Sequence, residues 1–147
     1  LILFRGVRRV DDGVNFHPNT VSTVRPGQKY SFSFEGQKYS LRAEGIPESI
    51  ANKDNELEEE GYKDYANYKL YLSSGDKEQL LMYMPNFNET FIEIQFVGDL
   101  DGDGKPDFIF ETSNQYEYNE STLYLSSFAK DGELVKCVGQ SGYGLFC

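Results

Sequence analysis

Tryptophan is missing from this sequence of 147 residues, histidine occurs once, cysteine twice and proline five times. Each scarcity removes a class of reading. The single histidine, His17, precedes Pro18 in a polar stretch; it offers no histidine cluster for zinc and little support for a Cys–His nucleophile pair. A solvated loop is its ordinary place. Neither a G-x-S-x-G elbow nor a Gly-rich phosphate loop occurs. Positive charge is also short: 14 Lys and Arg stand against 24 Asp and Glu, a formal net charge of −10. Such a chain repels phosphate backbones, which argues against nucleic acid as a partner. The sign suits cations or basic partners, and more generally keeps a protein in solution. Long apolar runs are absent. Leu1-Ile2-Leu3-Phe4 falls far short of a signal-peptide core, and nothing approaches the ~18 apolar residues of a transmembrane segment. The first residue is Leu1 rather than Met, which predicts that a leader or upstream region has been removed.

What is present points to β structure. Hydrophobic residues make up 39% of the chain, an ordinary globular share that argues against disorder. The length suits a single domain, 1–147. The aromatic residues are 11 Tyr and 11 Phe, types that favour pleated, half-buried surfaces. Tyr30, Phe32 and Phe34 alternate with Ser31, Ser33 and Glu35; beyond Gly36, Tyr39, Leu41 and Ala43 alternate with Lys38, Ser40, Arg42 and Glu44. Period two on both sides of a Glu-Gly turn predicts a hairpin. A second hairpin is predicted from Tyr68, Leu70 and Leu72, a Ser73-Ser74-Gly75-Asp76 turn, and Gln79 to Met84 before a break at Pro85-Asn86. A third places Ile92, Ile94 and Phe96 on one face of a strand ending at Val97, with Asp107 to Thr112 as partner. Two late strands, Thr122 to Ser126 and Glu133 to Val138, flank Lys130-Asp131-Gly132. The expected fold is therefore mostly β with little helix: an antiparallel meander or sandwich, or a partly open barrel. Ile46 to Tyr65, with its Glu56-Leu57-Glu58-Glu59-Glu60-Gly61 charge run, reads as a surface loop, with a short helix ending at Gly61 as the alternative.

Cys137 and Cys147 enclose a glycine-rich stretch that can fold back. They predict a disulfide, with two buried thiols as the alternative, and with the disulfide an extracytoplasmic address, periplasmic, cell-surface or secreted.

The densest chemistry lies in Gly98-Asp99-Leu100-Asp101-Gly102-Asp103-Gly104-Lys105-Pro106-Asp107. Calcium takes six to eight hard oxygen ligands at ~2.3–2.6 Å. Asp99, Asp101 and Asp103 alternate along a tight loop and can converge on one ion. Gly104 permits the sharp turn, the carbonyl of Lys105 supplies a neutral oxygen, and Asp107 closes the far side. Four carboxylates so close repel one another unless a cation is held among them. All-oxygen donors favour calcium over zinc, and over magnesium, which demands stricter octahedral geometry. An incidental Asp-Gly turn leaves the four-acid spacing unexplained. An EF-hand needs Glu at the twelfth loop position, here Phe110, and helical flanks.

The stretch from Phe96-Val97-Gly98-Asp99 to Asp107-Phe108-Ile109-Phe110 resembles the calcium loop of FG-GAP and VCBS repeats. That resemblance, confined to one copy within about 91–112, implies Asp99, Asp101, Asp103 and Asp107 as side-chain ligands and Lys105 as a carbonyl ligand. The missing Gly-Ala-Pro part and the single copy argue against a propeller. Ser121 to Ser127 is similar to a stretch in uncharacterised secreted bacterial proteins with one such loop.

Catalytic candidates are sparse. Glu93 and Glu111 flank the calcium hairpin and could form a glycosidase pair, though outward-facing strand Glu is the ordinary explanation. Tyr62, Tyr65, Tyr68 and Tyr71 recur every third residue; core packing is the expected role, stacking on a ligand the alternative. The sequence thus predicts a calcium-stabilised, non-catalytic module with a glycan or protein ligand. A calcium-dependent polysaccharide hydrolase, or an accessory domain of a larger enzyme, is the competing expectation.

Overall fold

The computed structural model describes residues 22–47, 65–87, 90–115 and 117–142. His17, Tyr62, Cys147 and the 56–61 charge run lie outside them. Among the described residues all regular structure is β, arranged in two antiparallel sheets that do not close into a barrel. Strands β2 (Lys29–Phe34), β3 (Gln37–Pro47), β4 (Tyr65–Ser74) and β5 (Lys77–Asn86) form a four-stranded meander in chain order. The other sheet has the order β1-β6-β7-β8-β9, from β1 (Ser22–Thr23), β6 (Glu93–Gly98), β7 (Asp107–Glu111), β8 (Ser121–Leu125) and β9 (Lys136–Ser141).

The alternating residues form the core between the sheets. Phe32, Phe34, Leu41, Ala43, Tyr68, Leu70 and Leu72 face Ile94, Phe108, Phe110 and Tyr124. Phe32 of one sheet meets Phe108 of the other edge to face at 6.1 Å. Polar bonds lock the sheets in place as well. The Tyr124 hydroxyl donates to the Leu81 carbonyl at 2.8 Å, and that of Tyr68 to the Val24 carbonyl at 2.9 Å. Each lets a buried ring keep a partner for its polar end. Burial raises the Tyr124 hydroxyl to about 12.

Turns and register depart from simple alternation at definite places. In the first hairpin Phe34 pairs with Gln37, so the turn is only Glu35-Gly36, both at positive φ (48° and 78°), the backbone that right-twisted hairpins require. The second turn is likewise two residues, Gly75-Asp76; Ser73 and Ser74 remain in β4. The break expected at Pro85 does not occur, and β5 runs on to Asn86. β5 is an edge strand, where a proline is tolerated, and the register with β4 pairs Met84 and Asn86 and passes over Pro85. Phe96 does not share the face of Ile92 and Ile94. Gln95 is a bulge, with Ile94 opposite Phe110 and Phe96 opposite Ile109, so Phe96 turns outward and Val97 takes the core side. The last strand begins at Lys136 rather than Glu133. Of the spaced tyrosines, Tyr68 is fully buried, while Tyr65 and Tyr71 are half-buried. Tyr71 lies under the Arg42 guanidinium, 4.2 Å from its ring centre.

Candidate metal centre

The 99–107 loop joins β6 to β7, where Gly98 pairs with Asp107. Strand ends therefore fix both ends of the acidic stretch. Gly102 and Gly104 take φ of 81° and 80°, conformations that side chains with a Cβ rarely adopt. These two turns direct successive backbone N–H groups inward. Asp99, buried to 3% exposure, collects three of them: Oδ1 accepts from Gly102 at 2.7 Å and Asp103 at 3.1 Å, and Oδ2 from Gly104 at 2.9 Å. The loop is thus wrapped around one carboxylate.

Asp99, Asp101 and Asp107 each bring a carboxylate oxygen to within 4.8 Å of the others. Three hard oxygen donors at this spacing can hold a metal ion. Asp107 is fully buried. Burial pushes its carboxyl above the usual range, and the nearby Asp101 charge adds to the shift; the Ser126 and Leu100 N–H groups pull the other way. A bound cation would offset both unfavourable effects. Asp103 stands apart from this trio. Its carboxylate accepts from the Lys105 N–H at 2.9 Å and from the Ser126 hydroxyl at 2.9 and 3.0 Å. Lys105 is exposed beside it. Cys137 lies half-buried in β9, and no described cysteine is a free thiol; its expected partner, Cys147, is outside the described residues.

Sequence spacing did not single out Ser126 and Ser127. They follow β8, in a different hairpin, yet both enter the centre. Ser126 gives its N–H to Asp107 Oδ1 at 2.7 Å and sets its hydroxyl 2.9 Å from the same atom. Ser127 donates to Asp101. The only hint was the Ser-Ser pair at a strand end. One hydroxyl proton cannot serve both Asp103 and Asp107, so Ser126 is oversubscribed by acceptors.

Next to the centre opens a groove of about 780 Å³, its walls supplied by the β2–β3 hairpin, the β4–β5 turn, the acidic loop and the β8–β9 connection. Glu93 and Glu111 are directly opposed on β6 and β7, at the end of that hairpin away from the loop. Burial and the Glu111 charge push the Glu93 carboxyl up. Among the described residues no helix is long and apolar enough to cross a membrane. No family model, curated protein or solved structure matches the chain.

Proposed function

We propose that this chain is a calcium-stabilised β module of the cell exterior or periplasm, with a binding or structural role rather than a catalytic one. The observation that carries the reading is the convergence of Asp99, Asp101 and Asp107 within 4.8 Å, beside a fourth carboxylate, Asp103, tied to Ser126. The donors are all oxygen, which suits calcium and not zinc. Lys105 contributes its carbonyl, as in the FG-GAP and VCBS loops that the segment resembles. A Cys137–Cys147 disulfide fits the same extracytoplasmic setting.

The carboxylates that would hold the ion are themselves tied to the segment after β8, Asp107 by Ser126 and Asp101 by Ser127. The ion's free energy of binding is therefore stability, since the unfolded chain does not assemble the site. Melting curves with calcium, magnesium and EDTA test this. Calcium raises the midpoint, magnesium raises it less, and EDTA returns it to the metal-free value. An unmoved midpoint contradicts the reading.

A calcium-dependent polysaccharide hydrolase remains the competing reading, and a panel of polysaccharides assayed for released reducing ends decides it. The binding role is favoured because Glu93 and Glu111 are neighbours on one sheet face, whereas glycoside cleavage needs carboxyl groups on opposite sides of the scissile bond.

A further inference from the structure

One oxygen from each of Asp99, Asp101, Asp103 and Asp107, with the Lys105 carbonyl, makes five donors, and calcium takes six to eight. The acidic bend by itself leaves the shell short. The fold brings a further oxygen among these carboxylates, Ser126 Oγ. It comes from the turn after β8, 19 residues from Asp107 and 23 from Asp103, and the residue is 5% exposed. Three carboxylate oxygens crowd it: Asp103 Oδ1 at 3.0 Å, Asp103 Oδ2 at 2.9 Å and Asp107 Oδ1 at 2.9 Å. A hydroxyl has one proton and two lone pairs. A proton shared between both Asp103 oxygens leaves Asp107 Oδ1 facing a lone pair of Ser126. A proton given to Asp107 leaves the Asp103 oxygens so placed. Lone pair against lone pair at this separation is repulsive unless a cation lies between them. The Ser126 N–H bonds Asp107 Oδ1 at 2.7 Å, so the backbone holds the hydroxyl where it is.

We propose that Ser126 Oγ is itself a ligand of the calcium ion, supplied to the acidic bend from the neighbouring hairpin. The inference rests on the reading of the bend as a calcium site, and it adds a donor from outside the loop. One lone pair of the hydroxyl goes to the ion and its proton to a carboxylate oxygen. A contact that is repulsive between oxygens alone thereby becomes two attractions. Neutral oxygens serve beside carboxylates in calcium shells. With Ser126 buried, the protein rather than bulk water supplies the donor on this side of the site. Ser127 differs: it is exposed, and its hydroxyl bonds Asp101. There one proton meets one acceptor, and no cation is called for. Ligation by Ser126 joins two hairpins on one ion, the bend between β6 and β7 and the connection from β8 to β9.

Terbium, a luminescent stand-in for calcium, tests this directly, because its decay rates in light and heavy water count the waters on the ion. In Ser126→Ala the vacated position takes a water and the count rises by about one. Ser126→Thr keeps the hydroxyl and leaves the count at the parent's value. A serine that only orients Asp103 and Asp107 weakens ion binding on its removal without changing the count. An Ala variant that binds terbium with the parent's water count therefore overturns the proposal. A parent that takes up no terbium overturns the calcium reading itself, and the proposal with it, so the two failures are distinct. Crystals of the parent grown in calcium answer the same question without any variant. Ser126 Oγ lies ~2.3–2.6 Å from the ion if it is a ligand, and a hydroxyl beyond ~3 Å from a bound ion overturns the proposal.

Discussion

Ser126 and Asp107 are bonded twice through a single carboxylate oxygen, by the Ser126 backbone N–H at 2.7 Å and by its hydroxyl at 2.9 Å. They are 19 residues apart: Asp107 opens β7, and Ser126 directly follows the neighbouring strand β8. This link carries the acidic loop's geometry into the β8–β9 connection. It follows that the Ser126→Ala variant removes the one hydroxyl proton that Asp103 and Asp107 share as acceptors. The expected loss is about 1–2 kcal/mol in urea unfolding, with Thr at the same position restoring part of it. A variant as stable as the parent removes the link from the account.

Removing a ligand should separate calcium binding from folding. Asp107→Asn keeps the shape and an acceptor oxygen but halves the hard, charged donor capacity of the most buried member. Calcium at about 100 times the parent's Kd stabilises the parent by ~2.7 kcal/mol; the variant should lose most of that increment. Its melting midpoint, measured with and without calcium, is the readout.

Gln79 reaches across from β5 to the segment before β9. Its Oε1 accepts from the Leu134 and Val135 N–H groups at 2.6 and 3.1 Å, and its Nε2 donates to the Val135 carbonyl at 2.8 Å. One side-chain amide thus acts in place of a strand neighbour. Val135 is 1% exposed, so Gln79→Ala strands backbone groups out of water. The cost should be ~2 kcal/mol, with faster hydrogen exchange at Leu134 and Val135.

The Glu93–Glu111 pair gives a pH signature. Burial first, and the Glu111 charge second, raise the folded Glu93 carboxyl above its ordinary 4.5. The folded state therefore holds this proton more tightly than the unfolded one. The stabilisation is fully present below the unfolded value and is lost as pH rises through the raised folded value. Glu93→Gln copies the protonated form: it should stabilise the protein at pH 7, by less than ~1 kcal/mol, and have no effect at pH 3.5. Thermal melts at the two pH values check the sign.

Much of the fold was legible because burial is one-sided. Phe32, Phe34, Leu41 and Leu70 repeat every second residue, and that period alone assigns them to the core face. The acidic loop was legible because few backbones place four Asp so closely. Phe96 was not, because alternation assumes that every residue is paired, and the Gln95 bulge breaks that assumption. Strand β1 has two residues, too few for any period. Pro85 misled because an edge position excuses its missing N–H, and edge position is a property of the sheet. Ser126 was hidden for a related reason: sheet pairing brings it to Asp107, and nothing local marks it.

The central claim is that the acidic bend is a cation site. Anomalous diffraction from crystals grown in calcium addresses it directly. The account predicts one ion with oxygens of Asp99, Asp101 and Asp107 at ~2.3–2.6 Å. Crystals saturated with calcium that show no anomalous peak between these three carboxylates would contradict it.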